Sequence, residues 1–336
     1  MADNLPHVSP VSAFRINTDH IQRKQFDIPY AALSPAQQLD IYWPDAGVGP
    51  FPVILAVHGG AYLGGDKADT QVVPMLAGLK RGYAVVSINY RLSGEALFPA
   101  PIQDVKAAIR WIRANAAQYQ LNPAKIGAWG DSAGGHFVAL AGTSAGVPEL
   151  TDLTLGNAGL SDQIQAVVDW FGPTNFLTMD EQLAASGAPP EFLSHNNPDA
   201  PEALLLGAQI TRIPDRVQAS NPGTYITPAA PPFLIQHGTH DWIVPAGQSI
   251  TLAAKLEAVV GRERVILELL DGAGHGGPEF ETPENLNRVL DFFRPTLEII
   301  FRVPSKLVAN RFICSFHRPG FSVQTRSIVS VHTLGE

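Results

Sequence analysis

The sequence predicts an α/β fold built on a mostly parallel, doubly wound sheet. Short apolar runs of strand length recur along the chain, and segments with helically spaced apolar residues separate them. Hydrophobic residues make up 45% of the 336 residues, enough for a sizeable core. Strands that alternate with helices form a parallel sheet with helices on both faces. This regular alternation favours one large domain over two small ones.

The strands and helices can be placed in chain order from their apolar patterns. The first two strands are expected to run antiparallel at the start of the sheet. The predicted strands are Phe26–Tyr30, Gln38–Trp43, Val53–Val57, Tyr83–Tyr90, Ile126–Trp129, Ile164–Phe171, 232–236 and Val265–Leu270. The predicted helices are Thr70–Arg81, Ile102–Tyr119, Gln248–Val260 and Thr282–Arg294.

Three segments interrupt or flank this pattern. Residues 1–25 form a polar N-terminal extension to a domain that covers residues 26–300. Within that domain, residues 174–232 lose the strand–helix alternation and are rich in Pro, Ala and Asn, which predicts a cap-like insertion or an elaborated loop. Residues 301–336 lack a helical period and form a tail of unknown role: a disordered extension, an extra strand pair or a shifted reading frame.

Composition excludes several functional classes. A net charge of −8 with 16% charged residues argues against nucleic-acid binding. One cysteine, Cys314, excludes an intrachain disulfide framework and an all-cysteine metal site. No uncharged apolar run reaches the ~18 residues of a membrane span. The N-terminus lacks a signal-peptide pattern, so we expect a cytoplasmic protein, or a secreted one if a leader has been removed.

The most informative motif is Gly130-Asp131-Ser132-Ala133-Gly134. It lies between a predicted strand and a helix-like run, the setting of a nucleophile elbow. Such a sharp turn exposes the serine hydroxyl above a helix N-terminus, which favours negative charge. Ser132 is therefore the predicted nucleophile. Its neighbour Asp131 is expected to hold the turn by hydrogen bonds.

An earlier strand ends in His58-Gly59-Gly60-Ala61. A Gly-rich loop in this place can point backbone N–H groups at the oxyanion of an acyl-transfer intermediate. The predicted oxyanion hole consists of the amides of Gly60, Ala61 and Ala133, with Gly59 shaping the loop. An ordinary Gly-rich turn is the alternative.

Two late loops supply the remaining catalytic candidates. Asp241 follows the strand at 232–236, and His275 lies in a Gly-rich loop after Val265–Leu270. The order serine, acid, histidine is that of α/β-hydrolases. His275 is the predicted general base, and Asp241 the acid that orients it.

Other residues compete for these roles less well. Asp271 is too close in sequence to His275 for two separate loops, and Asp215 lies in a Pro-rich irregular stretch. The remaining histidine candidates are expected to be structural: His58 bracing its loop, His136 facing away from the nucleophile, and His237 and His240 flanking the acid turn.

The insertion contains apolar side chains that are candidates for the acyl or alcohol pocket. The predicted substrate-binding residues are Phe176, Phe192 and Tyr225, with Leu193, Leu204 and Leu205 as further candidates for the pocket lining. Packing of the insertion onto the core is at least as good an explanation for each.

Several motifs together resemble the α/β-hydrolase carboxylesterases, in particular the hormone-sensitive-lipase-like group and the nearby bacterial acetyl-xylan and feruloyl esterases. The resemblance covers residues 30–295. The insertion segment Pro201–Gly207 is similar to the second group. The shared motifs are His58–Gly60, Asn89–Leu92, Phe98–Pro101, Gly130–Gly135, His237–Asp241 and Gly274–Gly276.

The resemblance implies a serine carboxylesterase that hydrolyses short- to medium-chain esters, including acetyl or feruloyl esters of carbohydrates, through an acyl-serine intermediate. It implies no metal and no organic cofactor, and a homo-oligomer is compatible with it. Ala61 replaces the third glycine usual in lipase-like members, which narrows the loop. An arylformamidase or small-amide hydrolase with the same triad, and a catalytically silent binding protein, are the alternatives.

Overall fold

The structure is a computed structural model that describes residues 15–297. Most of the predicted N-terminal extension (residues 1–14), the whole predicted tail (301–336) and Cys314 lie outside the described residues. No helix within residues 15–297 is both long and apolar enough to cross a bilayer.

Eight strands of the described chain form one sheet in the order β1-β2-β4-β3-β5-β6-β7-β8. The strands β1 and β2 pair antiparallel, as do β2 and β4, and the remaining neighbours are parallel. The strands are β1 (Lys24–Pro29), β2 (Gln38–Tyr42), β3 (Phe51–Val57), β4 (Ala84–Ile88), β5 (Leu121–Asp131), β6 (Ala166–Trp170), β7 (Phe233–Gly238) and β8 (Val265–Leu270).

The helices connect these strands and cover both faces of the sheet. The α-helices are α1 (Val73–Leu76), α2 (Ala100–Ala114), α3 (Ala133–Thr143), α4 (Met179–Ala185), α5 (Pro201–Leu206), α6 (Pro214–Ser220), α7 (Gly247–Val260), α8 (Pro278–Glu281) and α9 (Pro283–Leu297). The predicted mostly parallel α/β architecture is therefore confirmed.

The central strands are buried on both faces because two apolar clusters cover them. Along β3, Val53 and Leu55 pack into one cluster while Ile54 and Ala56 pack into the other. This alternation follows from the two-residue period of a strand. Helices α2 and α3 contribute to the first cluster, and α9 contributes to the second.

One predicted helix is divided into three shorter segments. The expected helix Thr70–Arg81 consists of a 3₁₀ turn, the single α-turn α1 and a second 3₁₀ segment at Ala77–Arg81. Pro74 lacks the N–H that a continuous helix needs at that position. Gly78 also lies so close to the sheet that a Cβ would be 2.7 Å from Ile54 Cδ1. Close packing against the sheet accompanies the interruption.

The insertion at 174–232 contains the three short helices α4, α5 and α6, joined by 3₁₀ turns. It reaches the rest of the domain through buried polar contacts. His195 Nε2 lies 2.9 Å from the carbonyl oxygen of Ile243, and the Ser220 carbonyl oxygen lies 2.8 Å from His136 Nε2. The insertion thus contacts both the loop after β7 and the helix α3.

Candidate active site

The functional candidates lie at the carboxyl ends of parallel strands. His58 follows β3, Ser132 follows β5, Asp241 follows β7 and His275 follows β8. In open α/β sheets, ligands bind at this edge because the loops after parallel strands meet there. The topology therefore brings together loops that are far apart in sequence.

Ser132 lies in a strained turn between β5 and α3. Its backbone has φ +52° and ψ −121°, values that a residue with a side chain rarely adopts. The turn fits only because its glycines lack side chains. A Cβ on Gly134 would lie 2.0 Å from the carbonyl oxygen of Val57, and one on Gly130 would lie 2.4 Å from the backbone of Gly134. The Gly-x-Ser-x-Gly spacing thus has a direct steric cause.

Three predicted side chains form a continuous hydrogen-bonded chain. His275 Nε2 lies 2.9 Å from Ser132 Oγ, and His275 Nδ1 lies 2.7 Å from Asp241 Oδ2. This arrangement lets the imidazole accept the serine proton while its other nitrogen donates to a carboxylate. The structure brings together all three residues that the sequence nominated.

The carboxylate of Asp241 is buried and surrounded by donors. Its Oδ1 accepts hydrogen bonds from the N–H groups of Ile243 and Val244, both at 2.9 Å. Burial opposes its ionisation, but hydrogen bonds from His237 and His275 outweigh that effect and hold the pKa of Asp241 well below its usual range. Asp241 therefore carries a full negative charge at neutral pH.

The loop after β3 has an unusual backbone. Gly60, Ala61 and Tyr62 have φ values of +114°, +53° and +65°. A Cβ on Gly60 would lie 2.3 Å from the Gly64 carbonyl oxygen, so no other residue fits without rearrangement. Ala61 and Tyr62 hold a left-handed conformation that residues with a Cβ normally avoid.

The amides of this loop differ in their hydrogen bonding. The N–H of Gly59 donates to Gln71 Oε1 at 2.6 Å, so it is occupied and contributes only to the loop shape. Within residues 15–297, the N–H groups of Gly60, Ala61 and Ala133 donate to no protein acceptor. Those three donors, which are the predicted oxyanion hole, are free to bind an anionic oxygen.

His58 and Asp131 both lie next to Gly59, where this loop begins. The His58 ring is buried and stacks on Tyr90 at 4.6 Å, and burial lowers its pKa. This agrees with a bracing role. Asp131 is half-buried, and loss of hydration raises the pKa of its carboxyl group to about 7. Its Oδ1 has no hydrogen-bond partner in the described part of the chain.

The predicted substrate-binding residues lie in three different environments. Phe176 is 0% exposed and packs into the core, so it does not line an open pocket, contrary to the prediction. The reason is that its ring fills the space beside Tyr62 and His136. Phe192 is half-buried and contacts Trp242, which is 38% exposed and directly follows Asp241.

Tyr225 is held by the insertion and by the core. Its hydroxyl donates to the carbonyl oxygen of Ala219 at 2.8 Å, and its ring packs against the core. Burial and then the charge of Glu149 raise the pKa of Tyr225. Glu149 follows the C-terminal end of α3, whereas Ser132 precedes its N-terminal end. These contacts give Tyr225 a packing role, and its pocket role stays a prediction.

Two residues near the triad escaped the sequence analysis. Phe171, with φ +43°, places its ring edge-to-face with His275 at a centroid distance of 4.7 Å. His195 of the insertion lies 3.1 Å from Glu202 and hydrogen-bonds to the loop after Asp241. No motif marks either residue, because each acts through contacts with segments distant in sequence.

The sheet, the strained serine turn and the Asp–His pair on later loops together define an α/β-hydrolase. The chain belongs to the BD-FAE family, whose model matches residues 39–256. The predicted resemblance to α/β-hydrolase carboxylesterases is thereby confirmed.

Named relatives agree with this family. The chain is 33% identical to esterase LipC over 72% of its own length and 57% of the relative, and 34% identical to esterase LipQ over 75% and 56%. Both are from Mycobacterium tuberculosis H37Rv, and the chain spans little more than half the length of each. A solved structure described as a truncated form of a carbohydrate esterase from gut microbiota superposes with a TM-score of 0.74, at 31% identity, covering 84% of this chain and 99% of that one.

Proposed function

We propose that the protein hydrolyses short- to medium-chain carboxylic esters through an acyl-serine intermediate. The observation that carries this proposal is the unbroken chain from Ser132 Oγ through His275 to Asp241, with distances of 2.9 and 2.7 Å. Ala133 directly follows Ser132, and the loop after β3 carries Gly60 and Ala61; the amides of all three donate to no protein acceptor among the described residues. A nucleophile, a base, an orienting acid and an oxyanion site are the parts that acyl transfer requires.

Acylation follows from these contacts. Ser132 Oγ attacks the ester carbonyl carbon while its proton passes to His275 Nε2. The resulting imidazolium is stabilised by the ionised Asp241, and the carbonyl oxygen becomes an oxyanion held by the backbone amides. When the tetrahedral intermediate collapses, the ester C–O bond breaks and His275 returns the proton to the departing alcohol. Water, activated by the same histidine, then attacks the acyl-serine and releases the acid.

Acetyl and feruloyl esters of carbohydrates are the substrates we favour. The similar solved structure is described as a carbohydrate esterase. The half-exposed Trp242 next to Phe192 offers an aromatic surface close in sequence to Asp241. Aromatic faces of this kind suit a sugar ring or a feruloyl ring. Ala61, in place of a third glycine, narrows the oxyanion loop and disfavours esters of tertiary alcohols.

The decisive experiment compares ester hydrolysis by wild type and Ser132→Ala. We expect the wild type to hydrolyse p-nitrophenyl acetate and butyrate faster than the dodecanoate. It should also release ferulic acid from methyl ferulate or acetic acid from acetylated xylan. Removing the nucleophile should lower kcat by about 10⁴-fold or more. The circular dichroism spectrum should not change.

Two results would contradict the proposal. One is wild-type-like turnover by Ser132→Ala. The other is a folded wild-type protein that cleaves N-formylkynurenine but none of these esters, which would indicate the amide-hydrolase alternative.

A further inference from the structure

The oxyanion loop holds two residues in a conformation that costs free energy. Ala61 and Tyr62 have φ values of +53° and +65°. A residue with a Cβ is strained in this conformation and keeps it only where the surroundings impose it. The amides of Gly60 and Ala61 belong to this strained segment, so whatever imposes the conformation also sets the direction of those donors.

Tyr62 is fixed through both its backbone and its side chain. Its carbonyl oxygen accepts a hydrogen bond from the Ser93 amide at 2.9 Å. The side chain points into the interior, is only 2% exposed, and places its hydroxyl 3.0 Å from His136 Nδ1. The Tyr62 ring also contacts Phe137 and Phe176 edge-on or tilted, which leaves it little room to turn.

The tautomer of His136 follows from its partners. Its Nε2 lies 2.8 Å from the carbonyl oxygen of Ser220, which can only accept, so Nε2 carries the hydrogen. Burial lowers the pKa of His136 to about 4, which keeps the ring neutral and leaves Nδ1 as an acceptor. The hydroxyl of Tyr62 therefore donates to Nδ1. The hydrogen bonds run in one direction, from Tyr62 through His136 to Ser220.

This chain joins the two sources of oxyanion donors. Gly60 and Ala61 lie on the loop after β3, whereas the third donor, Ala133, is the first residue of α3. His136 lies one turn further along α3. The Tyr62–His136 hydrogen bond thus joins the loop to the helix. Ser220, at the end of α6 in the insertion, anchors the far end.

We propose that Tyr62 and His136 are positioning residues of the oxyanion hole, and that the insertion supports the hole through the Ser220 carbonyl. Neither side chain touches the reacting atoms. This inference rests on the proposed esterase function, because the hole has a role only if an oxyanion forms there. Correctly placed donors stabilise the negatively charged transition state far more than they stabilise the bound, uncharged substrate.

The test removes one oxygen atom with Tyr62→Phe. The ring packing is retained, while the loop loses its hydrogen bond to α3. We expect kcat on p-nitrophenyl acetate to fall about 10- to 100-fold with KM within about twofold, since misplaced donors weaken transition-state binding more than substrate binding. A trifluoromethyl ketone inhibitor adds to the serine and forms a tetrahedral adduct that carries an oxyanion. Its affinity should therefore fall in parallel with kcat.

Tyr30→Phe is the matched control. Tyr30 is also buried, 3% exposed, and its hydroxyl donates to a backbone carbonyl, that of Asn89, at 2.7 Å. Both variants lose one buried hydrogen bond and should lose similar stability, but Tyr30→Phe should retain wild-type kcat and inhibitor affinity.

A second pair of variants keeps the proposal testable if Tyr62→Phe folds poorly. The amide of His136→Gln can both donate and accept, so it should retain more kcat than His136→Leu at equal folded fraction. Equal kcat for Tyr62→Phe and Tyr30→Phe, with the ketone bound equally well, would overturn the positioning role and leave the esterase intact. A wild type inactive on every ester would instead refute the proposed function.

Discussion

The two halves of the site handle charge in opposite ways. On the acid–base side, Asp241 carries a permanent charge and is surrounded by donors from Ile243, Val244, His237 and His275. On the oxyanion side, Gly60, Ala61 and Ala133 hold donors that find no acceptor within residues 15–297, beside the neutral His136. One half neutralises a charge that is always present, and the other would bind the oxyanion that forms only during the proposed reaction.

The difference shows how a fold can prepare for a reaction. Buried charges must be compensated in the resting protein, because leaving them unpaired costs several kcal/mol. Donors for a transient charge must instead be held open and cannot be allowed to relax toward a protein acceptor. Strain at Ala61 and Tyr62, and the hydrogen bond from Tyr62 to His136, keep the oxyanion side open.

The largest expected effect breaks the acid–base half. Asp241→Asn removes the charge that stabilises the His275 imidazolium and favours the wrong tautomer, so kcat should fall by roughly 10³- to 10⁴-fold. Steady-state kinetics on p-nitrophenyl acetate checks this. Asp271→Asn, an exposed aspartate before the same Gly-rich loop, is the control and should retain wild-type activity.

The same substitution should change the acid dependence of stability. The pKa of Asp241 is depressed in the folded protein, so its contribution is complete above the unfolded value near ~3.9 and is lost as the pH falls toward the folded value. The melting temperature of wild type should therefore drop more steeply than that of Asp241→Asn between about pH 4.5 and 2.5. Parallel curves for the two proteins would contradict this electrostatic account.

The next effect breaks the oxyanion half. Gly60→Ala adds a Cβ at φ +114° and only 2.3 Å from the Gly64 carbonyl oxygen, so the loop must move. We expect a fall in kcat of about 10²- to 10³-fold, the usual cost of an oxyanion donor. Gly94→Ala is the control, because no heavy atom lies within 4 Å of its new methyl group. Near-normal kcat in Gly60→Ala would show that this loop does not hold the oxyanion.

The smallest effect concerns Asp131, the residue before Ser132, whose carboxyl group neither half of the site uses. Its folded pKa is about 7, above the unfolded value, so the folded state keeps a proton that the unfolded state has already lost. Wild type should therefore lose free energy of unfolding as the pH rises from about 4 through 7. Asp131→Asn should reduce that loss, measured by urea unfolding at pH 5 and pH 8.

Part of the pH dependence of the free energy of unfolding should remain in Asp131→Asn. Asp169, whose pKa burial raises to about 6, contributes with the same sign. If the free energy of unfolding differs between pH 5 and pH 8 by the same amount in Asp131→Asn as in wild type, folding does not change the protonation of Asp131.

Much of the fold was predictable because its signals are local. The strands β4 and β6 are runs of apolar residues, and each lies within its predicted segment, whereas β3 begins two residues before its predicted start at Val53. The helix predicted at Ile102–Tyr119 instead runs from Ala100 to Ala114. Only tertiary packing sets such boundaries.

The catalytic candidates could be predicted from the sequence, but the surroundings of the substrate-binding candidates could not. Ser132, Asp241 and His275 could be nominated because each follows a strand in a motif of fixed spacing, and the topology places all three together. The environment of Phe176 could not be predicted, because an apolar side chain in an irregular segment suits a pocket and a core equally well. Its burial against Tyr62 and His136 is visible only in three dimensions.

By itself the sequence determined the alternation of strands and helices, the sharp turn at Ser132 and the order of the functional loops. Those features depend on hydrophobic period and on steric limits between near neighbours. The tertiary structure alone decided which amides stay open and how Tyr62 is held. Those depend on contacts between segments 74 to 143 residues apart, such as Tyr62 with His136 and Ser132 with His275, whose energies no local pattern encodes.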